Sequence, residues 1–188
     1  ADSSGNTKNG ADDPNREKIF SVRISGTGAD TEFTGVDQLA NLEQKLVDWD
    51  AAHGDRFGFA ASSSASGGAP EKVSGFSIEG LSAKAHENTL LLGFRAPQTD
   101  TVTRDKALIV ELALGADGSL GDATVGNYYE LNLGGRGIRS IELIGDQYYI
   151  LAGPAGSASA EVTNDFRLFR WDGAGSLEEL AIAGTTLD

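Results

Sequence analysis

Cysteine and methionine are both missing from the 188 residues. Without cysteine there are no disulfides, no thiolate nucleophile and no cysteine-ligated zinc. The compartment stays open, because cytosolic and exported proteins alike can do without cysteine. A chain with no methionine is expected to start after processing or to be an excised piece, and Ala1-Asp2-Ser3-Ser4 does not begin a signal peptide. Proline is scarce, at 4 residues, which excludes collagen and proline-rich linkers. Basic residues are outnumbered, 15 Lys and Arg against 28 Asp and Glu, for a net charge of −13. Nucleic-acid affinity comes largely from neutralising phosphates, so no nucleic-acid partner is expected, and anionic membrane surfaces are disfavoured for the same reason. No apolar run approaches the ~20 residues of a spanning helix, so no membrane insertion is expected either. The only histidines, His53 and His86, lie far apart with no further ligands at metal-binding spacing. The nucleophile elbow is absent too, since Gly75-Phe76-Ser77-Ile78-Glu79 carries glutamate where the second glycine belongs. No phosphate loop, EF-hand loop or H-E-x-x-H motif occurs.

What is present in excess is glycine, 25 of 188 residues, nearly twice the roughly 7 % usual. With 39 % hydrophobic and 23 % charged residues, that composition reads as a globular chain of many short elements and turns. The length allows one domain with a substantial core. Residues 1–15 are small and polar, and are expected to be a flexible N-terminal segment. Residues 18–24 alternate, with Phe20, Val22 and Ile24 on the face expected to be buried. Over 36–52 the residues Val36, Leu39, Ala40, Leu46 and Val47 follow helical spacing, with Thr34 and Asp37 as a capping box and Gly54 as the stop. A Ser/Gly loop follows at 61–70. From Val73 onward the pattern is β, with strands expected at 75–79, 89–95, 107–114, 127–133, 138–144, 147–152, 166–171 and 177–182.

The chain repeats itself. TLLLGFRAP (89–97) matches QYYILAGPA (147–155), KALIVEL (106–112) matches FRLFRWD (166–172), and ADGSLGD (116–122) matches GAGSLEE (173–179), at an offset of about 58 residues. REKIFSVRISG (16–26) matches RDKALIVELALG (104–115) as a partial third copy. These copies predict an all-β fold with one inserted helix, a β-propeller-like series of four-stranded repeats forming a partial propeller. Its units are 73–126 and 127–182, with a partial unit at 16–35 and the helix and Ser/Gly loop inserted at 36–72. A propeller needs about four blades to close, so self-association is one expected outcome.

EGLS (79–82), LLLGFRAP (90–97), KALIVEL (106–112), LGGRGIRSIE (133–142), ILAGPAG (150–156) and FRLFRWDG (166–173) together resemble a bacterial family known only as a domain of unknown function. The resemblance implies propeller-like repeats and no particular activity. It also implies a longer chain opening with at least one more blade, and the present chain departs from it there and in its long 54–72 loop. More distantly, the EGL motif after an apolar strand is similar to the esterase-like phytase propellers.

Four residues are the candidate ligand site: Glu79, Arg95, Arg136 and Arg139. The glycines of Gly134-Gly135-Arg136-Gly137-Ile138-Arg139 let the backbone turn tightly or approach a ligand, and the arginines can fork onto a carboxylate or phosphate. The competing expectation is that they pair with Glu79 and Glu142 and hold blades together. Glu79, flanked by apolar residues, is a candidate to line a channel or hold a divalent cation. Tyr128, Tyr129, Tyr148, Tyr149 and Trp171 are expected to pack in the core. The functional expectation is a binding or scaffold module for a small anion, a cation or a protein. The alternative is a phosphoesterase- or esterase-like hydrolase, with arginines holding the anion and Glu79 placing a metal or water.

Overall fold

The computed structural model describes residues 13, 16, 18–64, 72–99, 104–156 and 165–181. The expected flexible segment 1–15 falls almost wholly outside them. Among the described residues, ten strands form three antiparallel sheets. β1 (Ile19–Ser25) and β2 (Glu32–Leu39) make a hairpin. The helices α1 (Leu42–Ala52) and α2 (Phe59–Ser63) follow. A four-stranded meander comes next: β3 (Ser77–Ala83), β4 (Thr89–Ala96), β5 (Ala107–Ala113) and β6 (Thr124–Leu131). A second meander consists of β7 (Gly137–Ile144), β8 (Gln147–Gly153), β9 (Arg167–Trp171) and β10 (Leu177–Leu180). The result is a partial propeller-like all-β array. No described helix is long and apolar enough to cross a membrane.

The two meanders pack face to face. Leu91, Ala107, Ile109 and Leu131 of the first meet Ile138, Ile141, Tyr148, Ile150, Phe169 and Trp171 of the second. Close approach requires glycine here. A Cβ on Gly93 would lie 2.7 Å from the Ile138 side chain, and one on Gly137 would lie 2.1 Å from the Arg95 carbonyl oxygen. The other face of the first meander carries Ile78, Leu92, Phe94, Leu108, Val110 and Leu112, covered by the two helices and the root of the hairpin. Asp50, fully buried in α1, accepts hydrogen bonds from the Phe57 and Phe59 backbone amides at 3.0 and 2.9 Å. That ties the chain after α1 into a bend that drives both phenylalanines into the core, where Phe59 stacks on Phe94. Tyr128 and Tyr129 point to opposite faces of β6 and join the two cores separately, as strand alternation requires.

Several expectations are corrected. The helix does not begin at residue 36: residues 36–39 finish β2, Thr34 lies within that strand, and α1 runs only from Leu42. The apolar residues at helical spacing straddle a strand–helix junction. The stop at Gly54 is met, with His53 as the C-cap. A second short helix, α2, takes up the first residues of the expected Ser/Gly loop. The break between repeats falls between Leu131 and Gly137 rather than after 126, because β6 pairs with β5 along its length. The partial first unit extends to Leu39 and closes as a hairpin, not a single strand.

The expected burial of one β1 face is not met either, since every β1 residue after Ile19 is exposed. Ile19 pairs with Leu39 and both are buried, whereas Phe20, Val22 and Ile24 turn outward together with their cross-strand neighbours Val36 and Phe33. Asp37, on the inward side, accepts a hydrogen bond from the Leu120 backbone amide at 2.6 Å and fastens the hairpin to the first meander. Where β1 shifts register between Val22 and Arg23, the partner strand accommodates the step at Gly35, whose φ is +60°.

Candidate functional site

Three of the four expected site residues converge, and β-bulges bring them together. In β3 the pairing skips from Ile78 to Gly80, leaving Glu79 out of the ladder. On the facing strand it skips from Phe94 to Ala96, leaving out Arg95. In β7 it skips from Ile138 to Ser140, leaving out Arg139. A bulge bends its strand and re-aims the extra side chain, which is why bulges recur beside functional sites. Here three re-aimed side chains come from two sheets to one point. Arg95 donates from Nη1 to Glu79 Oε1 at 3.0 Å, and Arg139 Nε lies 2.6 Å from Glu79 Oε2. The second contact is an ion pair.

The surrounding backbone holds both guanidiniums. Arg95 Nε donates to the Ala155 carbonyl at 3.2 Å, and Arg139 Nη1 to the Pro154 carbonyl at 3.2 Å. Arg139 also lies over the Phe166 ring at 5.7 Å. Burial, helped by the neighbouring Arg95 charge, lowers the Arg139 guanidinium from its usual value against the opposing pull of Glu79. The three side chains are 13 %, 21 % and 24 % exposed for Arg95, Glu79 and Arg139, so the cluster is largely desolvated and still partly accessible. Two cations share one anion, a local surplus of +1 on a chain of net charge −13.

Arg136 does not join them. Its guanidinium ion-pairs with Asp165, and Nε donates to the Asp165 carbonyl at 3.1 Å. Nη1 donates to the Leu133 and Gly134 carbonyls at 3.1 and 3.3 Å, and the Arg136 carbonyl accepts from Gln98 Nε2 at 3.2 Å. At 8 % exposure it is a loop clamp. Gly134 and Gly135, with φ of +63° and +78°, turn the chain so that this clamp can close. Asp165 also takes Arg167, and the two arginines hold its carboxyl down at about 2. Asp165, not Glu142, is therefore the acidic partner of Arg136. Its place in the connection before β9 gives no sequence signal.

A second charged cluster that the sequence did not suggest sits at the opposite edge of the meander interface. The nearly buried Glu111 receives Lys84 at 2.7 Å, the Tyr129 hydroxyl at 2.6 Å and Asn127 at 3.3 Å. Burial pushes the Glu111 carboxyl up, but those hydrogen bonds outweigh it and the net shift is downward. Lys84, by the same pairing, is raised despite its own burial. Every partner is an internal one, so this cluster is a fastening between strands.

No group of three or more His, Asp or Glu able to hold a metal occurs among the described residues. Both Glu79 oxygens already face guanidiniums, and a divalent cation there would meet two positive charges. His86 lies at the surface against Asp146 at 3.1 Å, and His53 bonds the Trp49 carbonyl at 2.7 Å.

The family model for the protein of unknown function DUF3616 matches residues 58–186. The chain belongs to that family. The match spans both meanders and the arginine–glutamate cluster, and it leaves the β1–β2 hairpin and α1 outside. No curated protein and no solved structure matches the chain.

Proposed function

We propose that this DUF3616 protein is a binding module whose Arg95–Glu79–Arg139 cluster recognises a small anion, a carboxylate or a phosphate. The observation that carries the reading is the convergence of three bulge residues into a pair of guanidiniums sharing one carboxylate. An ordinary structural ion pair needs one cation. A second leaves half of the positive charge unmatched in a partly accessible site, which suits an incoming anion that can form forked hydrogen bonds. Binding exchanges solvent for a charge-assisted contact at a partly desolvated site, where each such bond is worth about 1.5–3 kcal/mol. A hydrolytic reading would ask Glu79 to ligate a metal or activate water, and its oxygens are already engaged.

The test is a thermal-shift and calorimetric titration with inorganic phosphate and with small di- and tricarboxylates. The wild-type melting temperature is expected to rise with ligand, by the equivalent of about 2.7 kcal/mol at a hundredfold excess over Kd. Arg95→Gln and Arg139→Gln should each weaken binding at least tenfold, while Arg136→Gln, if folded, should retain it. Absence of any shift with all these anions, or shifts that survive both substitutions, would overturn the reading.

A further inference from the structure

Among the described residues, nothing packs on the apolar face of the β1–β2 hairpin. Pairing places Phe20, Val22, Ile24, Phe33 and Val36 on one side. They are 66 %, 37 %, 65 %, 69 % and 71 % exposed. With aromatic side chains at ~200 Å² and aliphatic ones somewhat smaller, the five present roughly 500 Å² of contiguous apolar surface, at the upper end of what monomers carry. We propose that this face is a homodimer interface, on which the same hairpin of a second copy of the chain packs face to face about a two-fold axis.

Three observations choose a second copy as the occupant. The first is area: ~500 Å² from each hairpin supplies the greater part of the ~800 Å² per partner found in stable complexes, and a two-fold contact brings equal patches by symmetry. The second is charge. The charged residues of the two strands, Arg23, Glu32 and Asp37, are paired with Thr34, Ser25 and Ser21 on the opposite side of the hairpin. Two copies of a chain of net charge −13 can therefore meet here without burying a charge. The third is the repeat. Phe20, Val22 and Ile24 align with Leu108, Val110 and Leu112 of β5, all fully buried under a covering layer, so this sequence pattern is one that folds with a cover on it. Sheets packed face to face at ~10 Å with interleaved apolar side chains supply such a cover.

The test is sedimentation of the whole chain from about 1 to about 200 μM, at 0.05 and 0.5 M NaCl. Wild type is expected to shift from monomer to dimer across that range. Association should be stronger at high salt, because screening removes repulsion between the acidic bodies and leaves the apolar contact intact. Ile24→Glu with Phe33→Glu should remain monomeric at 200 μM with an unchanged circular dichroism spectrum. Because the chain has no cysteine, Val36→Cys provides a unique thiol that should oxidise to a covalent dimer, whereas Ala51→Cys on the exposed side of α1 should not. Wild type that stays monomeric to 200 μM, or a dimer that survives the double substitution, would overturn the proposal. The outcome is independent of anion binding, since the cluster lies between the meanders and not on the hairpin.

Discussion

In β5 the side chains of Leu108, Val110 and Leu112 are sealed beneath α1, α2 and the hairpin root, whereas in β1 the aligned Phe20, Val22 and Ile24 stand in solvent. The two strands carry the same alternation, and each pairs antiparallel with a following strand. What differs is the setting. β5 has a strand on either side and a layer on each face, whereas among the described residues β1 pairs with β2 alone, with Ile19 and Leu39 buried at the base. Alternation specifies that a strand has two unlike faces. It does not specify which one turns inward, because that depends on what is available to cover it. In the hairpin, the short polar face takes the contact with the body through Asp37, and the apolar face is left outward.

The largest effects should come from breaking the covered region. Gly137→Ala sets a methyl group 2.1 Å from the Arg95 carbonyl, a backbone clash that no rotamer can relieve. Overpacking of this kind costs about 1–3 kcal/mol where the surroundings can yield, and more is expected here because the obstacle is main chain. Leu112→Ala, at a fully buried position, should cost about 2–5 kcal/mol through lost transfer energy and the cavity left behind. In the hairpin, Gly35→Ala meets no atom within 4 Å and carries only the penalty for φ near +60°, about 1 kcal/mol. Urea denaturation of the three variants checks the ranking. A Gly137→Ala protein as stable as Gly35→Ala would mean the meanders are not packed as described.

Next in size is Glu79→Gln. It leaves two guanidiniums facing each other across a neutral amide, in a site less than a quarter exposed. Breaking a well-buried ion pair costs about 3–5 kcal/mol, and partial solvation brings the expectation to about 2 kcal/mol. Anion affinity should move the other way and rise, because the competing internal carboxylate is gone. Stability lost with affinity gained is the signature of a binding site. Stability lost with no ligand response would leave the cluster as a strut between the meanders.

How much of this was visible in the sequence depends on how local the cause is. The strands of the two meanders follow from short apolar runs and turn residues such as Asp117-Gly118 and Asp172-Gly173, where the signal and the structure occupy the same few residues. β2 was hidden because Val36 and Leu39 lie at helical spacing from Leu42 and Leu46, so the periodicity runs through the junction. α2 was hidden because its start depends on Asp50 capturing the Phe57 and Phe59 amides, a contact made across seven and nine residues. Glu79, Arg95 and Arg139 stand out as charges set among apolar residues. Their convergence rests on three bulges, and a bulge is a property of two paired strands rather than of either one. Arg136 looks the same in sequence but is drawn off by Asp165, an unremarkable acidic residue in a connecting segment.

A smaller effect, dependent on pH, separates Arg136 from the candidate site. The Asp165 carboxyl is held at about 2 by Arg136 and Arg167, below its unfolded value of about 3.9. A carboxyl depressed in the folded state stabilises the protein fully above its unfolded value, and loses that contribution as pH falls through the folded one. Stability should therefore decline between about pH 4 and pH 2 in wild type, and Asp165→Asn should flatten that part of the curve. An unaltered acid limb in Asp165→Asn would mean the Arg136 clamp does not depend on this charge.

The smallest effect is expected at Ile24, the counterpart of Leu112. Ile24→Ala removes a side chain that is 65 % exposed, and surface changes of this kind stay within about 0.5 kcal/mol. Measured near 1 μM, where a hairpin-mediated dimer is dissociated, the variant should melt with wild type. Measured near 200 μM, wild type gains from mass action and the variant gains less, so the two curves should separate as concentration rises. A constant gap at both concentrations would mean that Ile24 contributes within one chain, and that the hairpin is covered from the chain's own body. A gap that opens with concentration ties the outward apolar face to a second molecule, and makes the missing cover, rather than the strand pattern, the difference between β1 and β5.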